Sequence, residues 1–175
     1  TFGIGKAMIG VVLSCYVLAV LSVRPLAGFI ADTLPRKSVY IVAYAAFVAA
    51  FVGYFFITKT LVLFILLRIF HGLCFGMLTT AGNTLVIDVM PSSRRGEGLG
   101  YYGVTNNLAM AFGPMVGLFV VASGDYMLLF LTSLVTGIIG LLLGALVRTP
   151  RRERAEKVEF KLSADRFFLK EGIRA

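Results

Sequence analysis

Five apolar runs, at about 7–31, 39–57, 61–87, 97–122 and 126–147, alternate with short polar breaks that read PRKS (35–38), TKT (58–60), PSSRRGE (91–97) and SGDY (123–126). A hydrocarbon core about 30 Å thick needs roughly 20 apolar residues per helical crossing, so each run predicts a membrane span. Breaks this short force consecutive spans to lie side by side and antiparallel. The expected fold class is all-α, a polytopic transmembrane helix bundle of about five spans.

Composition agrees with that reading. The 175 residues are 58% hydrophobic and 15% charged, with a mean hydropathy of +0.89, far from soluble globular usage. The basic excess, 17 Lys/Arg against 9 Asp/Glu, is distributed unevenly. Arg36 and Lys37, Arg94 and Arg95, and nine residues of the tail 148–174 hold thirteen of the 17, whereas the opposite face has Lys6 and Lys59, and Arg24 and Arg68 fall within spans. By the positive-inside rule the breaks after 31 and after 90 face the cytoplasm. This asymmetry accounts for the charge without nucleic acid as a partner.

Residue 1 is then external, and because the chain opens on Thr, a segment upstream is expected. The first run is longer than the apolar region of a secretory signal, about 7–15 residues, and is read as a span. Cys15 and Cys74 lie inside apolar runs, where free cysteine behaves as a small hydrophobe. With one histidine and no Cys/His cluster, a metal site has no ligand set, and no cofactor is expected. The tail is read either as a basic segment resting on anionic headgroups or as a solvated linker, with Ser163 or Asp165 as possible helix caps.

Three stretches carry chemistry. The first is GFIADTLPRK (28–37), with Gly28, Asp32, Arg36 and Lys37. The second is LLRIFHGLCFG (66–76), with Arg68, His71, Gly72 and Gly76. The third is AMAFGPMVGL (109–118), with Gly113, Pro114 and Gly117. In order, they resemble the loop joining the second and third spans, the arginine-bearing fourth span and the antiporter-type fifth span of the major facilitator superfamily. The departures are Ile30, Thr33 and Pro35 in the first stretch, and Ala109 and Leu118 in the third. The resemblance implies that residues 1–148 are an N-terminal transmembrane bundle lacking its first span, and that 149–175 begin a cytoplasmic loop between halves. The missing first span and the C-terminal half of the same transporter become expected partners, and the restored span returns the N-terminus to the cytoplasm.

Each stretch has two readings. Gly28 lets another helix approach closely, and Asp32 can accept hydrogen bonds from a cation or a helix N-terminus. The resemblance implies that this acid holds the transporter halves together on the cytoplasmic side, with Arg36 as its cation and Asp88 and Arg95 completing the cluster. The other reading makes Arg36 and Lys37 topology anchors.

Arg68 is costly inside a span unless paired or hydrated. With Gly72, Gly76, Thr79 and Asn83 it shares one helical face, small and polar, suited to a water-filled cavity or to close helix contact. The resemblance implies proton coupling or substrate binding for Arg68, its acidic partner lying in the missing span or half; a structural pair or snorkelling anchor is the alternative. His71 is either a proton relay or a hydrogen-bonded interface residue. Asn106, Met110, Gly113 and Gly117 align, and Pro114 should bend that helix. The resemblance implies a seal against ion leak; the residues by themselves equally suit a packed, kinked helix. Gly140 and Gly144 are read as packing alone.

The function expected is secondary active transport, namely proton-coupled efflux of small organic molecules by alternating access in a bacterial inner membrane. A proton-coupled importer of sugars or metabolites is the nearest alternative, followed by a non-transporting scaffold or truncated remnant. An enzyme is not expected: no Ser/His/Asp set and no mid-span carboxylate pair occurs, and no phosphate-binding Gly-rich loop with Lys points to ATP.

Overall fold

Residues 6–56, 60–122, 124 and 126–149 are described by the computed structural model. They form α1 (Lys6–Thr33), α2 (Arg36–Phe56), α3 (Leu61–Val89), a 3-10 turn (Ser92–Arg94), α4 (Arg95–Ala122) and α5 (Tyr126–Leu146). All five α-helices are long and apolar enough to cross a membrane. At about 1.5 Å per residue, the shortest, of 21 residues, already matches the thickness of a hydrocarbon core. Residues 150–175, with Ser163 and Asp165, lie outside the described residues, as do Lys59 and the side chain of Lys6.

The helix ends extend past the apolar runs. Arg36 and Lys37 belong to the first turn of α2 because Pro35 opens that helix, its carbonyl accepting the N–H of Val39 at 3.1 Å. Proline lacks the N–H that would be unpaired at a helix start, and its φ is already suitable. Charge limits burial in lipid but does not end a helix, so the polar residues join the helical ladder.

α3 is the centre of the bundle: α1 and α2 pack along it, α5 packs on α2, and α4 rests against α3 and α5. The α1–α3 seam is made by small residues. Ala19, Val23, Ala27 and Ala31 recur every four residues and are buried. A Cβ on Gly72 would stand 2.6 Å from the Tyr16 carbonyl oxygen, and one on Gly76 would stand 2.8 Å from that of Val20. Without side chains at 72 and 76 the two backbones approach closely, and packing contacts of this kind drive association where lipid offers no hydrophobic gain.

The α2–α5 seam uses knobs on one helix and gaps on the other. Tyr40 sits over Gly144, Tyr44 over Gly140 and Val48 over Gly137, so rising numbers on α2 meet falling numbers on α5, as antiparallel neighbours require. The Tyr40 and Tyr44 rings stack 5.8 Å apart. Gly140 and Gly144 thus pack, as their spacing predicted.

Two glycines depart from expectation. Nothing lies within 4 Å of a Cβ placed on Gly28 or Gly113, so the close approach expected at these positions is not made within the described residues. Gly113 is exposed and Gly28 half-buried. α4 runs unbroken through Pro114; one missing N–H removes one bond of the ladder, and the turns on either side continue it. Cys15 and Cys74 are free thiols, the second buried.

Candidate functional site

Arg36 gathers three helices. Its Nη1 donates to Asp88 Oδ1 at 2.7 Å and its Nη2 to Asp32 Oδ1 at 3.1 Å. Its Nε donates to the Ala31 carbonyl at 3.2 Å, and Nη1 also approaches the Thr84 carbonyl at 3.5 Å. A cation as the first residue of α2 faces the positive end of that helix's own dipole. The cost is offset because α1 and α3 end here, presenting carboxylates and late carbonyls, which favour a cation. The planar guanidinium reaches all of these acceptors at once, which a lysine ammonium on its single point does not.

The two acids are not equivalent. The Arg36 side chain is 13% exposed, Asp88 23% and Asp32 61%. The shorter, less hydrated bond to Asp88 is the stronger link, and it joins residues 52 apart in sequence. Lys37 and Arg95 make no ion pair with this cluster among the described residues. Arg95, expected to complete it, is exposed at the start of α4. Its neighbour Arg94 instead forms a two-pronged pair with Glu97, both bonds 2.7 Å.

The second group lies one to three turns from the start of α3. The Arg68 guanidinium carbon is 5.9, 5.6 and 5.8 Å from the ring centres of Tyr16, Tyr54 and Phe64. Three aromatic rings thus surround it at cation–π range. Nε of Arg68 and Nε2 of His71 are buried without hydrogen-bond partners among the described residues. His71 is 5% exposed; its Nδ1 is 3.2 Å from the Tyr54 hydroxyl, and the Phe47 and Phe51 rings lie 4.3 and 4.9 Å from it. Tyr16 and Tyr54 therefore border both Arg68 and His71.

The remaining sequence-designated positions are spread along the bundle. Gly72 and Gly76 pack on α1, and the Thr79 hydroxyl donates to the Phe75 carbonyl of its own helix at 2.9 Å. Gly72 and Gly76 of the shared face therefore lie in a helix seam. Asn83 is exposed and lies roughly 22 Å from Arg68 along the helix axis, by the 1.5 Å rise. Asn106 is exposed on α4. Gly113 and Pro114 are exposed as well, while Gly117 borders Leu129 of α5.

Sequence reasoning missed the aromatic surround of Arg68 and His71. Its signal was the density of Tyr and Phe along α2, where Phe47, Phe51 and Tyr54 share a face at helical spacing. What the periodicity lacked was the identity of the facing helix.

The arrangement can do two things. One guanidinium clamps three helix ends through bonds that separation of those ends would break. A cation held by aromatic faces, with a donor still unpaired, can receive an acceptor from outside the described residues.

Residues 1–173 match the Major Facilitator Superfamily family model. The chain is 30% identical, over 81% of its length, to an uncharacterized MFS-type transporter of Mycobacterium tuberculosis, covering 24% of that protein. It is 26% identical over 79% of its length to the multidrug transporter protein MdtP of Bacillus subtilis, covering 25% of it. It is 25% identical over 67% of its length to the quinolone resistance protein NorA of Staphylococcus aureus, covering 30% of it. The chain thus spans less than a third of each of these relatives.

Proposed function

The chain belongs to the major facilitator superfamily, and from that membership we propose that it is part of a secondary active transporter that exports small organic molecules in exchange for protons by alternating access. It is a multi-pass integral membrane protein of the bacterial inner membrane, in a family of transporters rather than enzymes. The names of two relatives, a multidrug transporter and a quinolone resistance protein, support efflux as the direction and small organic molecules as the cargo.

The observation that carries the mechanism is Arg36 bound to both Asp88 and Asp32. The end of the bundle that bears Arg36, Lys37, Arg94 and Arg95 is the cytoplasmic one by the positive-inside rule. With the clamp closed, the cytoplasmic ends of α1, α2 and α3 form one unit, against which the rest of the transporter closes when its cavity faces outward. Opening toward the cytoplasm separates acid from base, and Asp32, already the more hydrated of the two acids, is the first to be released. Asp88 stays with Arg36 longer.

Arg68 supplies the second element. Its guanidinium, lodged among Tyr16, Tyr54 and Phe64, attracts a carboxylate or a polar substrate group into the membrane and releases it when that group is protonated or leaves. Coupling follows because a carboxylate displaced from Arg68 by a polar substrate group takes up a proton, and gives it up when it pairs with the guanidinium again. Gly28, Lys37, Asn83, Asn106 and the Gly113–Gly117 segment belong to surfaces left uncovered or partly covered by this chain; the first span and the second six-helix half of the transporter pack there.

The test is transport by the intact protein in proteoliposomes with an imposed pH gradient. Proton-dependent efflux abolished by Arg68→Ala and slowed by Asp88→Asn is the expected result. Proton-dependent flux indifferent to Arg68→Ala removes the coupling mechanism, and net uptake driven by an inward proton gradient replaces efflux with import.

A further inference from the structure

A cavity of about 230 Å³ lies between α2, α3, α4 and α5 at their basic end, lined by Tyr40, Leu85, Val86, Val89, Tyr102 and Val147 among others. Its walls are almost wholly apolar and it is partly open. A void of this kind costs its lining the dispersion contacts that a filling group would supply. An apolar cavity of about 150 Å³ is already large enough to stay dry and take up benzene.

The position says what fills it. From Val89, the last residue of α3, to Gly82 deep in the cavity is seven residues, about 10 Å along the axis, so the space runs from headgroup level into the acyl region. Exposed arginines stand at that same level: Arg148 directly follows Val147 of the lining, and Arg95 begins the helix that supplies Tyr102. Neither has an ion pair among the described residues. Apolar depth beneath unpaired cations is complementary to one amphiphile.

We propose that this cavity is a site for an anionic phospholipid of the inner leaflet, the headgroup-proximal part of one acyl chain seated between α2, α3, α4 and α5 and the phosphate held by Arg148 and Arg95. The site is separate from the clamp and from the Arg68 cluster, and does not depend on the transport reading. It does touch the clamp's supports: Tyr40 is one turn from Arg36, and Leu85 lies one turn before Asp88. A seated chain therefore braces the helix ends that Arg36 joins.

The experiment uses the intact protein in liposomes containing phosphatidylglycerol or phosphatidylcholine that carries a photoreactive diazirine in the headgroup-proximal half of one acyl chain, followed by peptide mapping of the adducts. The expected result is an adduct concentrated on residues 85–90 and 147, favouring phosphatidylglycerol by about fivefold for each arginine engaged. Val86→Phe combined with Val147→Phe fills the cavity and removes that adduct, while adducts on the outer faces persist. Arg148→Gln leaves the adduct in place but lowers the phosphatidylglycerol preference by about fivefold. Adducts spread evenly over the exposed apolar residues of all five helices, or equal labelling by the two lipids, overturn the proposal. Should the double Phe variant fail to fold, Val89→Leu, which adds one methylene, and Arg148→Gln decide: unchanged labelling in the first together with an unchanged phosphatidylglycerol preference in the second rejects the site, and reduced labelling or lost preference supports it.

Discussion

Replacing Gly76 by alanine tests whether the α1–α3 seam is held by backbone proximity. The new methyl would stand 2.8 Å from the Val20 carbonyl oxygen and closer still to Val23 Cγ1. The carbonyl belongs to the helix ladder and cannot turn away, and a valine in a helix has essentially one χ1 rotamer. The only relief is for α1 to move off α3, which loosens Ala19, Val23 and Ala27 together. Overpacking of this kind costs about 1–3 kcal/mol, whereas alanine recovers up to about 1 kcal/mol of helix propensity relative to glycine. The same change at Gly10, where nothing lies within 4 Å, keeps the propensity gain without the clash. The two variants should therefore differ by about 1–3 kcal/mol, with Gly76→Ala melting at the lower temperature. Thermal denaturation of the intact protein in detergent, with Gly76→Ala, Gly10→Ala and the unmodified protein side by side, measures it. A Gly76→Ala variant as stable as Gly10→Ala refutes the reasoning, because α1 and α3 would then not be in backbone contact at that turn.

Four further outcomes follow from the same geometry. Arg36→Lys, which keeps the charge but loses the forked reach, should destabilise the protein nearly as much as Arg36→Ala, since the planar bidentate pairing is what a lysine lacks; melting temperatures of the two variants compare them. Asp88→Asn should be more damaging than Asp32→Asn in the same assay, because its bond is shorter, 2.7 against 3.1 Å, and its carboxylate less exposed. Tyr54→Phe removes the partner of His71 Nδ1, and leaving a buried polar atom unsatisfied costs about 1–3 kcal/mol, readable as a lower denaturation midpoint. Arg94→Ala should produce no measurable change in stability, because its pair with Glu97 is solvent-exposed and such pairs contribute little; a clear loss would mean that this turn is covered in the intact protein.

Much of the architecture was legible along the chain. Runs of apolar residues longer than a bilayer crossing needs, separated by breaks of a few residues, leave a helical bundle with antiparallel neighbours as the available arrangement, and every run is a helix. Arg36, Asp32 and Asp88 were identifiable as a cluster because the resemblance of GFIADTLPRK to a family loop marks Asp32 and its basic pair, and Asp88 ends a span at the same membrane surface. Gly140 and Gly144 announced their packing by spacing alone. What the chain did not disclose was which surface each helix meets. Arg68 and Gly72 share a helical face, yet one lies in an aromatic box and the other against the Tyr16 carbonyl; only the path of α1 across α3 makes that distinction. Arg95 has the charge to join the clamp, but the 3-10 turn carries it to the exposed start of α4 instead. The cavity beneath Arg148 is invisible in the sequence because residues from 40 to 147, on four helices and the end of the last, line it. Local pattern determines that a segment is a helix and that it lies in the membrane, since both follow from periodicity and transfer energy. Contact between helices depends on the shapes of side chains far apart in sequence, and only the tertiary structure decides it.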